Sequence, residues 1–309
     1  MISYDTLIIG GGPAGMSAAL FAQGDGLNFR LSEKGIPCQF VEETINTNFT
    51  NLENYLGLYD MDGTSVARIF RKHLEDRKIP LFHEEIKDIK PLDNLFCINS
   101  DKGEYMAKTI ILATGTRPRE LTIPGIENVL ERVHYGINKD FSHYKNHVAL
   151  VVGGRNSGAV TAVRLKEIGV NPIVIEKSSK STAKTKYLEK LDELSIPLLT
   201  NANLEKIVGF RGIQEAHVTI NNKLKIFNPI AIFGCIGYTP NNRIAVDLGL
   251  QLDKEGYIEV DRKMQTSMEG VYAAGDVNGG VKMIAVASGE GAIAEYYANG
   301  YVKLKWKEE

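Results

Sequence analysis

Glycines near the start of the chain have the spacing of a phosphate-binding turn. The run is Gly10-Gly11-Gly12-Pro13-Ala14-Gly15; it follows an apolar segment, residues 6–9, and precedes a helical pattern of alanines. In such a turn, backbone N–H groups and a helix N-terminus face the pyrophosphate of a dinucleotide. Gly10 allows the tight turn, Gly12 leaves room for the pyrophosphate, and Gly15 lets helix and strand pack closely.

An acidic residue stands where such a turn needs one. Glu33 closes the next predicted strand, residues 28–32, and Lys34 follows it. A carboxylate at this place can accept hydrogen bonds from both ribose hydroxyls. Strand, glycine turn, helix and carboxylate therefore predict a dinucleotide-binding unit, with Lys34 as a further contact.

A second turn of this kind lies in the middle of the chain, and it is atypical. Its residues are Gly153, Gly154, Arg155, Asn156, Ser157 and Gly158, and the next strand ends at Glu176 and Lys177. Arg155 occupies the position of the glycine that admits pyrophosphate, so either its guanidinium contacts a phosphate or the site is degenerate. Glu176 favours a free ribose 2′-hydroxyl over a 2′-phosphate. NADH is thus favoured over NADPH, and a site without nicotinamide nucleotide is the third alternative.

Composition excludes several classes of protein. The formal net charge of −2 and the pI near 6.3 lack the basic balance of nucleic-acid-binding proteins. No apolar stretch reaches the roughly 20 residues of a membrane span, and the first residues do not resemble a signal peptide. We therefore expect a cytoplasmic protein without membrane or nucleic-acid partners. Cys38, Cys97 and Cys235 stand far apart, and the histidines lack ligand spacing, so no metal site is predicted.

Alternating strand and helix patterns predict the α/β class, with parallel sheets covered by helices. Further motifs follow in the order ATGTRP (113–118), GYTPN (237–241) and VYAAGDV (271–277). Together with the two glycine turns, this series resembles the low-molecular-weight thioredoxin reductase group of flavoproteins. The segment ENYLG (53–57) and Gln39 match that group as well.

The resemblance implies two Rossmann-like dinucleotide-binding domains, the NAD(P)-type domain being inserted into a discontinuous FAD domain. The FAD domain would comprise residues 1–117 and 242–309, and the NAD(P)-binding-like domain residues 118–241. Relatives are homodimers, and we expect the same here. The positions implied to contact FAD are Gly10, Gly12, Pro13, Ala14, Gly15, Glu33, Lys34, Gln39, Asn54, Thr114, Gly115, Gly275, Asp276, Lys282, Met283 and Ile284. The positions implied for NAD(P) are Gly153, Gly154, Arg155, Asn156, Ser157, Glu176 and Lys177.

One departure from the group concerns its redox chemistry. Thioredoxin reductases carry a Cys-x-x-Cys pair in the segment that here spans residues 133–140, and this segment has no cysteine. Dithiol exchange needs a thiolate close to the flavin, so we expect no thioredoxin reduction by that route. The dipeptide His134-Tyr135 is similar to one in the cysteine-free ferredoxin and flavodoxin reductases of thioredoxin-reductase type.

The sequence therefore predicts an FAD-dependent oxidoreductase without a redox disulfide. The flavin itself would pass electrons between a nicotinamide nucleotide and an external carrier such as ferredoxin or flavodoxin. Lysines after the Glu176 strand could steer an acidic carrier, or they form an ordinary solvated face. Two alternatives remain: a small-disulfide reductase that uses Cys38, and a flavin- or nucleotide-sensing protein with little turnover. No residue other than Cys38 is a candidate for covalent catalysis.

Overall fold

The computed structural model describes residues 2–38, 52–137 and 140–306, which form two compact units. The described part of the first unit is 2–38, 52–117 and 239–306, and that of the second is 118–137 and 140–238. The second unit is thus a single insertion into the first. The sequence predicted that this insertion runs to residue 241, but it ends at Tyr238. The side chain of Asn241 donates to the carbonyl of Thr114 at 2.8 Å, which keeps Asn241 with the first unit.

Strands and helices alternate through most of the chain. The strands are Ser3–Ile9 (β1), Phe29–Glu33 (β2), Leu81–His83 (β3), Ile86–Leu92 (β4), Leu95–Ser100 (β5), Gly103–Leu112 (β6), Thr116–Pro118 (β7), Val133–His134 (β8), Val148–Val152 (β9), Asn171–Ile175 (β10), Leu198–Leu199 (β11), Ala202–Gly209 (β12), Ile213–Ile220 (β13), Lys223–Phe227 (β14), Ala231–Gly234 (β15), Tyr238–Pro240 (β16) and Val271–Ala273 (β17). The α-helices are Pro13–Gly24 (α1), Gly63–Asp76 (α2), Asn156–Glu167 (α3), Thr185–Glu193 (α4), Arg243–Asp247 (α5) and Ile284–Lys305 (α6).

The sheet of the first unit is parallel where it carries the glycine turn. Its strands run in the order β3-β2-β1-β6, and β17 pairs with the end of β6. Ile8 of β1 lies between Leu31 of β2 and Ile111 of β6, and all three side chains are fully buried. The first half of β6 instead pairs antiparallel with β5, which pairs with β4. The apolar strands therefore place the carboxyl ends of β1, β2, β6 and β17 at one edge.

The second unit repeats the parallel arrangement. Its sheet has the order β11-β10-β9-β15-β8, and the strands β12, β13 and β14 form a separate antiparallel sheet. The side chains of Leu150, Val151 and Phe233 on β9 and β15 are fully buried. This continuous apolar character is typical of a parallel strand covered on both faces.

A buried ion pair lies under the edge of the first sheet. The Glu84 carboxylate accepts hydrogen bonds from Arg30 Nε at 2.6 Å and from Arg30 Nη2 at 3.0 Å. The hydroxyls of Ser32, Ser100 and Tyr105 also donate to it. Burial opposes ionisation of Glu84, but these donors together lower the pKa of its carboxyl group below the usual value. Breaking such a satisfied buried pair would leave an uncompensated charge in the core.

A second buried carboxylate has no such compensation. Glu295 on α6 is fully buried, and neither of its carboxylate oxygens has a hydrogen-bond partner in the part of the chain that the structure describes. One turn later, the Asn299 side-chain amide donates to Asp25 at 2.5 Å, while the side-chain carbonyl oxygen of Asn299 has no partner among those same residues. Burial and the nearby charge of Asp25 raise the pKa of Glu295 to about 7, with Lys303 acting in the opposite direction.

The described ranges hold neither a membrane span nor a metal cluster. None of their helices is long and apolar enough to cross a bilayer. Over those same residues, no three His, Cys, Asp or Glu side chains converge in the way that metal ligands do.

We predict that Glu295→Gln stabilises the protein at pH 8. The fold raises the pKa of Glu295 from an ordinary value of 4.5 to about 7, so the unfolded chain ionises first and stability falls as pH rises between these values. The shift corresponds to about 3 kcal/mol, or roughly 5 °C in Tm. Thermal unfolding should show this gain at pH 8 and a much smaller one at pH 5. Glu259→Gln, at an exposed position, is the control, and a gain independent of pH would contradict the prediction.

Candidate functional site

Two glycines of the turn between β1 and α1 have no room for a side chain. Gly10 has φ +115°, and a β-carbon there would lie 2.2 Å from the carbonyl oxygen of Ala113. A β-carbon on Gly15 would lie 1.8 Å from the carbonyl oxygen of Gly10. Both contacts are far shorter than van der Waals distance, so glycine is required at these two positions for the helix to begin where it does.

Gly12 has a different reason to be glycine. Its backbone is extended, with φ −83° and ψ −176°, which any residue can adopt, and a β-carbon there would meet nothing within 4 Å. Gly12 precedes α1, whose first residue is Pro13 and which no side chain caps. The first N–H groups of the helix, at Ala14 and Gly15, have no intrahelical acceptor. The open space beside them suits an anion.

Glu33 holds the glycine turn in place. One of its carboxylate oxygens accepts from the N–H of Gly11 at 2.6 Å, and the other accepts from the N–H of Gly35 at 2.7 Å. Each oxygen keeps a second lone pair for an outside donor such as a ribose hydroxyl. Lys34, beside it, is largely exposed and lies 3.8 Å from Glu85.

A second turn, between β17 and α6, reaches the same region of the first unit. Gly275 has φ +80°, and a β-carbon there would lie 3.0 Å from the β-carbon of Ala14. Asp276 follows it, and no described residue hydrogen-bonds to its carboxylate. Burial raises the pKa of Asp276, while the charge of Lys282 acts against this rise. Lys282 donates to the hydroxyl of Tyr257 at 2.5 Å.

The remaining positions expected to contact FAD are only partly brought together. The Asn54 amide lies 3.7 Å from the sulfur of Met283, which precedes the first residue of α6, Ile284. The Thr114 hydroxyl donates to the carbonyl of Asn241 at 2.8 Å, and Gly115 follows with φ +62°. Gln39 lies outside the described residues.

The second unit repeats the carboxylate contact of the first. Gly154 N–H donates to one oxygen of Glu176 at 2.7 Å, and Ser178 N–H donates to the other at 2.9 Å. Gly153 has φ +106°, and a β-carbon on Gly158 would lie 1.7 Å from the carbonyl oxygen of Gly153. Burial opposes ionisation of Glu176, but the two N–H donors and Arg155 lower the pKa of its carboxyl group overall.

Arg155 stands where Gly12 stands in the first unit. Its backbone is extended in the same way, with φ −81° and ψ −170°, so arginine fits this position without strain. The side chain is exposed, as are those of Asn156, Ser157 and Lys177. Asn156 accepts from the N–H of Lys184 at 2.9 Å, which fixes the loop after β10. The second unit thus keeps the turn but replaces the open space with a cation.

The cysteines do not form a reactive pair. Cys38 is 3% exposed, and its sulfur contacts Met16 and the carbonyl of Gly11. Burial raises the pKa of Cys235 to about 11, so this thiol stays protonated. Cys97 lies on β5, which is not part of either glycine turn.

Residues 133–137 carry packed rings and, like the rest of the segment to residue 140, no cysteine. His134 lies 4.7 Å from Phe141 and 5.1 Å from Phe233, measured between ring centroids. Its Nε2 is 3.1 Å from the hydroxyl of Tyr144. The Tyr135 hydroxyl accepts from the N–H of Leu121 at 2.9 Å. Asn138 and Lys139 of this segment lie outside the described residues.

Sequence reasoning missed Glu290. One of its oxygens accepts from the N–H of Gly275 at 2.7 Å and from the Asn278 amide at 3.0 Å. Only one signal in the sequence pointed to it, an acidic residue within the small and apolar run that begins α6.

Comparison with known proteins agrees with this geometry. The family model described as "Pyridine nucleotide-disulphide oxidoreductase" matches residues 4–291. The chain belongs to this family. Family membership confirms the predicted α/β fold with two Rossmann-like units and makes the protein an FAD-dependent oxidoreductase.

Relatives match over nearly their whole length. The thioredoxin reductase of Ureaplasma parvum serovar 3 is 30% identical over 304 residues, which are 97% of each chain. The "34.2 kDa protein in rubredoxin operon" of Clostridium pasteurianum is 30% identical over 307 residues, covering 96% of this chain and 97% of that protein. The crystal structure of T. acidophilum thioredoxin reductase superposes with a TM-score of 0.87 at 29% identity, covering 97% of this chain and 99% of the other. The chain is therefore similar to thioredoxin reductases throughout.

We predict that Gly12→Leu abolishes FAD binding without unfolding the protein. The backbone at this position tolerates a side chain, but the side chain would fill the space next to the helix N-terminus. The variant should purify colourless, with circular dichroism like that of the unmodified protein. Gly24→Leu, at an open position near the far end of the same helix, is the control and should retain FAD. Full FAD occupancy in Gly12→Leu would contradict the assignment of this turn.

Proposed function

We propose that the protein exchanges electrons between a nicotinamide nucleotide and a one-electron carrier such as ferredoxin or flavodoxin. The observation that carries this proposal is the absence of cysteine from residues 133–140. The family's disulfide chemistry needs two neighbouring thiols, and the three cysteines, Cys38, Cys97 and Cys235, are separated along the chain. Electrons that cannot pass through a dithiol must pass directly between cofactor and partner.

The first unit has features that fit FAD. Gly12 leaves space at an uncapped helix N-terminus, and Glu33 has lone pairs left for ribose. The Asp276 carboxylate is half-buried, and no residue that the structure describes donates a hydrogen bond to it. When bound, the flavin supplies two-electron exchange with a nicotinamide and one-electron exchange with a carrier. The side chains around the flavin would bind and orient it. Asn54 and Lys282 lie next to the start of α6, and Gln39 is a further expected contact.

The second unit has features that fit NADH better than NADPH. Glu176 is ionised and is held by two backbone N–H groups, so its charge would oppose a 2′-phosphate. Arg155 offers a guanidinium to a pyrophosphate in place of the missing open space. This assignment gives the turn of the second unit a ligand although Arg155 stands at the position of Gly12.

The electron balance of the reaction is simple. One NADH supplies two electrons to two molecules of a one-electron carrier, which yields NAD⁺ and one proton.

Lys177, Lys180 and Lys184 are exposed on the second unit and could steer an acidic carrier. The relative in the rubredoxin operon of C. pasteurianum is consistent with such a partner. We further propose that the protein is a homodimer in the cytoplasm, as its resemblance implies.

A small-disulfide reductase that uses Cys38 is less consistent with the structure. A catalytic thiol must reach its substrate as a thiolate. Cys38 is 3% exposed and packs in the apolar core against Met16. A flavin-sensing protein without turnover is the remaining alternative, and kinetics separate it from an enzyme.

The proposal is tested by anaerobic stopped-flow mixing. NADH should bleach the flavin absorbance, and oxidised ferredoxin or flavodoxin should restore it at a rate that sustains steady-state turnover. Thioredoxin should not support turnover. Cys38→Ser should leave both half-reactions within about threefold of the unmodified protein, because no thiolate takes part. Loss of small-disulfide reduction in Cys38→Ser, with flavin bleaching retained, would favour the thiol reaction. Bleaching without reoxidation by any carrier would favour a sensor.

We also predict that Ser178→Arg shifts preference toward NADPH. Ser178 is exposed, and its backbone N–H donates to Glu176, so the substitution adds a cation and keeps that backbone hydrogen bond, while the serine hydroxyl is lost in this variant and in its control alike. The ratio of kcat/KM for NADPH to that for NADH should rise about tenfold, as expected for one charge-assisted contact to phosphate. Ser178→Gln, which adds length without charge, is the control. An unmodified protein that uses NADPH better than NADH would contradict the assignment of Glu176.

A further inference from the structure

We propose that Glu290 is a positioning residue for FAD, because it fixes the turn that presents Asp276. The inference rests on the proposed assignment of Asp276 to the cofactor. Glu290 is the seventh residue of α6. It is separated from the turn by several residues of chain, and no motif assigned it a role.

The contacts of Glu290 are directed to both ends of a short segment. Its Oε2 accepts from the backbone N–H of Gly275 at 2.7 Å and from the side-chain amide of Asn278 at 3.0 Å. These two donors flank Asp276 and Val277, which begin a 3₁₀ turn. One carboxylate oxygen therefore fixes the entry and the exit of the segment that carries Asp276.

Backbone hydrogen bonds also hold this turn: Asn278 N–H donates to the Gly275 carbonyl at 3.0 Å, and Ile258 N–H donates to the Val277 carbonyl at 3.0 Å. Gly275 has φ +80° and ψ −160°, and Gly279 has φ +84° and ψ −135°, which are conformations that glycine alone adopts readily. The Asp276 side chain has no hydrogen-bond partner among the described residues, so the backbone sets the direction of its carboxylate. The hydrogen bonds within the turn do not use the Gly275 N–H, which donates to Glu290 instead, so Glu290 helps to set that direction.

Glu290 also connects this turn to the phosphate-binding end of α1. The next residue, Gly291, lies so close to α1 that a β-carbon on it would be 2.0 Å from the carbonyl oxygen of Ala14. Ala14 in turn lies beside Gly275, where a β-carbon would approach to 3.0 Å. Glu290 thus lies where α1, α6 and the Asp276 turn meet, and we expect its replacement to lower the affinity for FAD.

The test is FAD reconstitution of the apoprotein, with the Kd measured by quenching of flavin fluorescence. Glu290→Ala should raise the Kd about tenfold or more, since it leaves the buried Gly275 N–H without an acceptor. Glu290→Gln keeps a carbonyl oxygen for the same donors and should stay within about threefold of the unmodified protein. Ser288→Ala, on the same turn of α6, is the control for substitution within the helix and should leave the Kd unchanged.

A double-mutant cycle makes the test specific. Asn278→Ala alone should weaken FAD binding less than Glu290→Ala, because it removes one of two donors. Added to Glu290→Ala, it should raise the Kd by less than about twofold more, since its partner is already gone. A residue that only supported the fold would lower the Tm of the apoprotein without this coupling in FAD affinity.

The outcomes separate this inference from the assignment on which it rests. An unmodified protein that binds no FAD would overturn the proposed FAD site itself. FAD binding by the unmodified protein together with an unchanged Kd in Glu290→Ala would overturn only the role of Glu290, as would a Glu290→Gln variant as weak as Glu290→Ala. If Glu290→Ala does not fold, the Glu290→Gln and Asn278→Ala variants still decide, because a normal Kd in Asn278→Ala would refute the anchor.

Discussion

Close backbone contacts at helix α1 are the constraint on which the first unit depends. A β-carbon on Gly15 would meet the carbonyl oxygen of Gly10, and one on Gly291 would meet that of Ala14. The helix is therefore in direct contact with the end of β1 on one side and with α6 on the other. Side chains at these points would force the elements apart, and the N-terminus of α1 would no longer lie at the carboxyl end of the sheet.

The second unit shows which parts of this arrangement a dinucleotide-binding turn must keep. Gly153 and Gly158 repeat the close contacts, and Glu176 repeats the bonds of Glu33 to two backbone N–H groups. These features shape the turn itself. The position of Gly12 has no such role in the fold, since arginine occupies its counterpart with the same backbone angles. At these positions, the two turns thus differ in the space beside the helix N-terminus.

The first sheet and its glycine turn could be predicted because the signal is local. Residues 6–9 and the glycines that follow give the strand, the turn and the helix from neighbouring positions alone, and membership of the family confirms this part of the fold. The sequence could not predict contacts whose partners are far apart. Glu84 meets Arg30 across the edge of the sheet, and Glu290 meets Gly275 between a helix and a turn. An acidic residue on a helix is usually solvated, so only the packed structure distinguishes Glu290 and Glu295 from a surface side chain.

Aromatic side chains in residues 133–137 pack into the second unit. His134 packs among Phe141, Phe233 and Tyr144, and the ring of Tyr135 covers Gly234, where a β-carbon would lie 2.7 Å from it. These rings join β8 to β15, its neighbour in the sheet. A segment that exchanges disulfides must expose a thiolate and move toward a partner, whereas close ring packing stabilises one conformation. His134 and Tyr135 therefore contribute to the core of their unit, and the sequence of residues 133–140 offers no thiol for such an exchange.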